Sequence, residues 1–139
     1  MAKIPIALQL YTVRDNLAEN PVQTIQAVAE MGYQGVEGGP PAGMGNTDFL
    51  ALLADHNLTL IGGGVSPVEI RDNVQQIADR CHELEIDTLM CGIGGELQQH
   101  GGDWIPAVAA LAEGCAKATE IGLRILYHNH AFEFEDKVN

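Results

Sequence analysis

The chain has 139 residues, 46% of them hydrophobic and 19% charged, a composition suited to a packed globular domain and not to a disordered segment. Seven Lys and Arg stand against 19 Asp and Glu, a formal net charge of −12 at pH 7, so nucleic acid and anionic membrane surfaces meet a repulsive average field. Nothing approaches the roughly 20 apolar residues of a membrane span. The opening "MAKIPIALQLYTVRD" reads as a first strand, because Gln9 interrupts its apolar run and no small-residue cleavage site follows.

In chain order, "IPIALQLYTV" is strand-like and "NPVQTIQAVAEMG" is helical. Asn20 can cap that helix, Pro21 suits its first turn, Val22, Ile25 and Ala29 share a face, and Gly32 stops it. "YQGVEGG" follows as a second strand, then a helix in "NTDFLALLADHN" with Phe49, Leu52, Leu53 and His56 on one stripe, then "LTLIGGGV" as a third strand. "SPVEIRDNVQQIADRCHELEI" places Ser66 and Glu69 at capping-box spacing, with Ile70, Val74, Ile77, Cys81 and Leu84 on one face. "DTLMCGIG" is a fourth strand, "DWIPAVAALAEGCAKATEIG" a helix with Ile105, Val108, Ala112 and Cys115 in register, and "LRILYHNHAF" a fifth strand. The three cysteines, Cys81, Cys91 and Cys115, are odd in number, lack CxxC spacing and lie in apolar patterns, which predicts buried reduced thiols and a cytoplasmic location.

About five strands alternating with four helices, without a hairpin signal, predict right-handed crossovers and a parallel sheet in a single α/β domain over residues 1–139. Two architectures fit: an open doubly wound sheet, or part of a (β/α)8 TIM barrel. The first strand-to-helix turn, "YTVRDNLAEN", contains no glycine and carries neither GxGxxG nor a P-loop. Gly62, Gly63 and Gly64 match neither motif and read as a tight turn before the helix capped by Ser66, with phosphate cradling as the lesser alternative.

"IALQLYTVRD", "TIQAVAEMGYQGVEGG" and above all "YHNHAFEFE" resemble the N-terminal portion of the xylose isomerase-like TIM barrel superfamily of sugar phosphate isomerases and epimerases. The resemblance runs over nearly the whole chain and favours the barrel, here incomplete, since a full barrel takes about 250 residues. Active residues of such barrels sit at the C-terminal ends of strands, which nominates Gln9 and Tyr11 on the first, Glu37 on the second, Cys91 on the fourth and His128, Asn129 and His130 on the fifth. A period of two puts His128 and His130 on one side of their strand, expected to face the barrel mouth with Glu37 on the same rim.

The resemblance implies an isomerase or epimerase that moves a proton next to a sugar carbonyl, with Glu37 and His130 catalytic and Gln9, Tyr11, Asn129 and Glu133 contacting a sugar or sugar phosphate. For Glu37 the competing reading is a solvated carboxylate beside "GGPPAG"; for Glu133, part of an acidic loop surface. The resemblance also implies a divalent metal, Mn, Mg, Zn or Co, in the complete enzyme, and puts His128 where many relatives carry a glutamate ligand. Trp104 is read as a core or hinge aromatic, with roofing of a sugar pocket as the alternative, and His56, His82 and His100 as structural.

Keto-sugar dehydration is a related alternative, and an apurinic-site endonuclease is disfavoured by charge. The competing class is a catalytically inactive partial barrel, the first five-eighths of the fold, completed by a C-terminal part or by a homo-oligomeric partner.

Overall fold

In the computed structural model, which describes residues 4–99 and 101–135, five parallel strands follow one another in chain order with helices between them. His100 and the Asp136–Lys137 end of the acidic run lie outside the described residues. The chain divides into two units, residues 1–63 with 81–86, and residues 64–80 with 87–139.

In the first unit, β1 (Ala7–Gln9) pairs in parallel with β2 (Gly35–Glu37), which pairs with β3 (Thr59–Val65). β1 is shorter than its apolar run predicts. Past Gln9 the chain turns through a 3-10 helix, Leu10–Val13, into α1 (Arg14–Glu19), burying Leu10 and Leu17 on the way. α2 (Pro21–Glu30) begins as expected: Asn20 Oδ1 accepts from the Gln23 backbone N–H at 3.1 Å, and Gly32 ends the segment at φ +92°. Its buried face is Thr24, Ile25 and Val28, one step round from the predicted stripe, so Val22 is exposed. α3 (Asn46–Asp55) buries Phe49 and Leu53. These residues join Val36, Leu58, Leu60 and Leu84 in one contiguous core. Gly35 is required where β2 and β3 meet, because a Cβ there would lie 2.8 Å from the Thr59 carbonyl oxygen.

The glycines Gly62, Gly63 and Gly64 form part of β3 itself and not a turn after it. α4 (Pro67–Glu83) opens with the predicted reciprocal cap: the Ser66 N–H donates to Glu69 Oε2 at 2.9 Å and the Glu69 N–H donates to Ser66 Oγ at 3.2 Å. The helix is not continuous, however. Asn73 leaves helical geometry at φ −131°, ψ 34°, a break that the apolar periodicity does not register. Lys117 Nζ donates to the Arg71 carbonyl oxygen beside this break, taking up an acceptor next to the interrupted ladder.

In the second unit, β4 (Thr88–Cys91) pairs in parallel with β5 (Arg124–Tyr127). Between them "GGELQQ" forms the short helix α5 (Gly94–Gln99), and α6 (Trp104–Glu120) is capped by Asp103 accepting from the Ile105 N–H. α6 buries Ala107, Ala110, Gly114 and Ala118 and turns Ile105, expected inside, outward at 79% exposure. Small residues set that face: Gly114 lies so close to α4 that a Cβ would meet Ile70 Cβ at 3.0 Å. The chain continues from β5 through residues 128–131 into α7 (Phe132–Glu135). Cys81 and Cys91 are buried, Cys115 is half-buried, and none is in a disulfide.

Candidate functional site

In the first unit, Gln9 and Glu37 close β1 and β2 and are register partners, so the pairing brings these two predicted site residues together. Between Val36 and Glu37 the β2–β3 register slips: Val36 faces Leu60, whereas Glu37 faces Gly62. A bulge of this kind bends a strand and re-aims the side chain at its end. The Gly38 N–H donates to the Gly62 carbonyl oxygen at 2.9 Å, which holds the chain just past the bulge. Glu37 is 8% exposed and therefore not the solvated carboxylate of the competing reading. Tyr11 is placed differently: it lies in the 3-10 turn, 69% exposed, with the Arg14 guanidinium 4.6 Å above its ring and Arg14 Nη1 donating to its carbonyl oxygen.

In the second unit, β5 ends at Tyr127, and His128, Asn129 and His130 occupy the loop beyond it. The His128 N–H donates to the Cys91 carbonyl oxygen at 2.9 Å, prolonging the β4–β5 ladder by one bond. Gly92 makes that approach feasible, since a Cβ there would sit 2.9 Å from the His128 carbonyl oxygen. The two imidazoles lie beside each other with ring centroids 5.0 Å apart, but the strand whose period of two was expected to set their side ends at Tyr127, so the loop places them. His130 stacks on Phe132 at 5.6 Å and 16°, and Phe132 meets Trp104 at 5.9 Å. His128, Asn129 and His130 are all exposed, Phe132 and Trp104 half-buried. The result is a row of four rings whose outer end is a pair of accessible imidazoles.

A side-chain clasp closes the same loop. Glu133 Oε2 accepts from the His130 backbone N–H at 2.7 Å, and Glu133 Oε1 accepts from the Tyr127 hydroxyl at 2.8 Å. Partial burial, then the hydrogen bond to Glu133 and its negative charge, push the Tyr127 phenol up to about 12. For Glu133 burial is the largest influence and acts upward, yet the bonds from Tyr127 and the His130 N–H outweigh it and leave the carboxyl below its ordinary value. Tyr127 and Phe132 were not singled out by the sequence reading. The alternation of aromatic rings at 128, 130 and 132 was the available signal for the ring row, and the carboxylate one residue past Phe132 was the signal for the clasp.

Among the described residues no group of three or more His, Cys, Asp or Glu side chains could hold a metal ion. His128 and His130 offer one coordinating nitrogen each and no third ligand joins them among the described residues, so they do not by themselves fit a four-donor or six-donor site. Among the described residues no helix is long and apolar enough to cross a membrane.

A family model described as xylose isomerase-like TIM barrel matches residues 25–137. No curated protein matches the chain. Among solved structures, a sugar phosphate isomerase/epimerase from Parabacteroides distasonis is similar with a TM-score of 0.74 at 17% identity, over 100% of this chain and 58% of that one. An AP endonuclease, family 2, from Brucella melitensis is similar with a TM-score of 0.61 at 20% identity, over 89% of this chain and 55% of that one. At these identities the likeness is one of fold, and the chain spans less than two thirds of the length of either structure. With parallel β/α units in chain order and a family match running from α2 past the histidine loop, the chain belongs to the xylose isomerase-like TIM barrel family.

Proposed function

We propose that this chain serves in isomerisation or epimerisation of a sugar or sugar phosphate, by moving a proton at the carbon next to a carbonyl. The observation that carries the reading is the accessible His128–His130 imidazole pair, held just past the C-terminal end of β5, the end at which β/α barrels do chemistry. An imidazole whose ordinary pKa lies near neutrality can both take and return a proton at physiological pH. His130 is assigned that exchange. Asn129, next to it in the loop, supplies a hydroxyl contact. Glu37, Gln9 and Tyr11 belong to the other unit and carry no step of this reading. A base removes the proton from the carbon and the electron pair moves into an enediolate; the hydroxyl proton passes from one enediolate oxygen to the other, and return of the first proton to the neighbouring carbon gives the isomer. Return to the opposite face of the same carbon gives the epimer. No step is routed through a metal.

The experiment is incubation of the chain with a panel of ketoses, aldoses and their phosphates, with products separated by chromatography. A new sugar of unchanged mass, lost in His130→Gln, supports the reading; no product from any member contradicts it. The charge of −12 separates this reading from a DNA-directed one, and titration with an abasic duplex at physiological salt is expected to show no binding. A second reading, that the chain is inactive until β5 and α6 are covered by further polypeptide or a second copy, is favoured by the exposure of Ile105, Leu126 and Tyr127.

A further inference from the structure

Each carboxylate oxygen of Glu133 accepts a hydrogen bond from inside the protein, one from the Tyr127 hydroxyl and one from the His130 N–H. Each oxygen keeps a second lone pair, but charge-assisted bonds at 2.7 and 2.8 Å fix the orientation of the carboxylate to its own loop. Tyr127 is the last residue of β5 and Glu133 lies in α7, so the Tyr127–Glu133 bond ties the strand end to the helix across residues 128–131. The second bond fastens the backbone of His130 within that span.

We infer that Tyr127 and Glu133 are positioning residues for His130, setting the direction of its imidazole through the backbone, and are not substrate contacts. Three further observations fit that role. The carboxyl of Glu133 sits below its ordinary value, so it stays an acceptor across the neutral range. The His128 N–H is fixed independently by the Cys91 carbonyl oxygen, which leaves His130 as the part of the loop that needs a second tether. The His130 ring contacts both His128, at 5.0 Å, and Phe132, at 5.6 Å, so a rotation at its backbone would disturb both ring contacts. Holding a reacting group within a fraction of an ångström is worth orders of magnitude in rate, whereas a positioning group leaves substrate affinity nearly untouched.

The inference rests on the proton-transfer role of His130, and its test has one readout that needs no activity. Amide hydrogen exchange at His130, followed by NMR on the 139-residue chain, is expected to accelerate about tenfold or more in Glu133→Ala, from loss of a bond to a charged acceptor. Tyr127→Phe, which removes one of the two bonds, is expected to fall between wild type and Glu133→Ala. With a sugar found to turn over, Tyr127→Phe is expected to lower kcat about tenfold while KM stays within about twofold. An unchanged His130 exchange rate in Glu133→Ala overturns the clasp. A KM effect with kcat retained overturns the positioning role and returns Glu133 to the substrate. If no sugar turns over, the proton-transfer reading fails separately, and the exchange rates alone decide whether the clasp exists.

Discussion

The carboxylate of the first unit and the imidazoles of the second are held by different physics. Glu37 stands in a strand with β1 on one side and β3 on the other, above a core in which Ile25, Val28, Val36, Phe49 and Leu53 are almost wholly buried. Its position is over-determined by backbone ladders and packing. His130 sits in a four-residue loop after an exposed strand, tethered by one carboxylate and a row of rings. A site on a strand inherits the rigidity of the core, while a site on a loop must assemble its own restraints from side chains.

Breaking the first unit's core should produce the largest effect. Phe49→Ala removes a ring with 0% exposure and is expected to cost about 3–5 kcal/mol in urea unfolding. Phe134→Ala, in the second unit and 78% exposed, should stay within about 0.5 kcal/mol. Equal losses for the two would erase the contrast in packing.

Next comes the glycine that lets the histidine loop approach β4. Gly92→Ala puts a Cβ 2.9 Å from the His128 carbonyl oxygen, a backbone atom that cannot swing aside, and overpacking of this kind costs about 1–3 kcal/mol. NMR should show shifts at both His128 and His130, with the first-unit amides unmoved. Ser66→Ala, which removes half of the reciprocal cap of α4, should cost about 0.5–2 kcal/mol by thermal unfolding.

The smallest expected effect is one of pH. Because the folded protein holds the Tyr127 proton more tightly than the unfolded chain does, this group's contribution is complete below its ordinary value of 10.0 and is lost as pH rises toward about 12. With the residue 46% exposed, solvent screening makes the effect on stability slight. Phenolate absorbance is the more sensitive reading: one of the three tyrosines should ionise late, and Glu133→Gln should bring it earlier.

Much of this architecture was legible in the sequence where the signal is local. The Ser66–Glu69 cap, the Asn20 cap and the five strand positions follow from residue type and period alone. Three features were not legible, each because tertiary contact overrides a local pattern. The apolar face of α6 read from Ile105 and Val108 was displaced by a stripe of Ala and Gly, since close approach to Ile70 leaves no room for a larger side chain. The break at Asn73 interrupts an unbroken apolar period, and periodicity records side chains and not backbone angles. β1 stops at Gln9 because Leu10 and Leu17 reach the core through a helical turn instead of an extended strand. At the site, residue type located Gln9, Glu37 and the histidines, but the register slip at Glu37 and the Tyr127–Glu133 bond depend on pairing partners that no single segment reveals.

Proton transfer at a carbon beside a carbonyl, with His130 as an exchanging group, leaves an isotopic trace in the substrate. Incubating the chain with ketoses and ketose phosphates in deuterium oxide and following the substrate by NMR tests that claim before any product accumulates. Deuterium is expected at the carbon adjacent to the carbonyl of at least one sugar, and is expected to be lost in His130→Gln. Deuterium appearing equally fast with wild type, His130→Gln and no protein would contradict it.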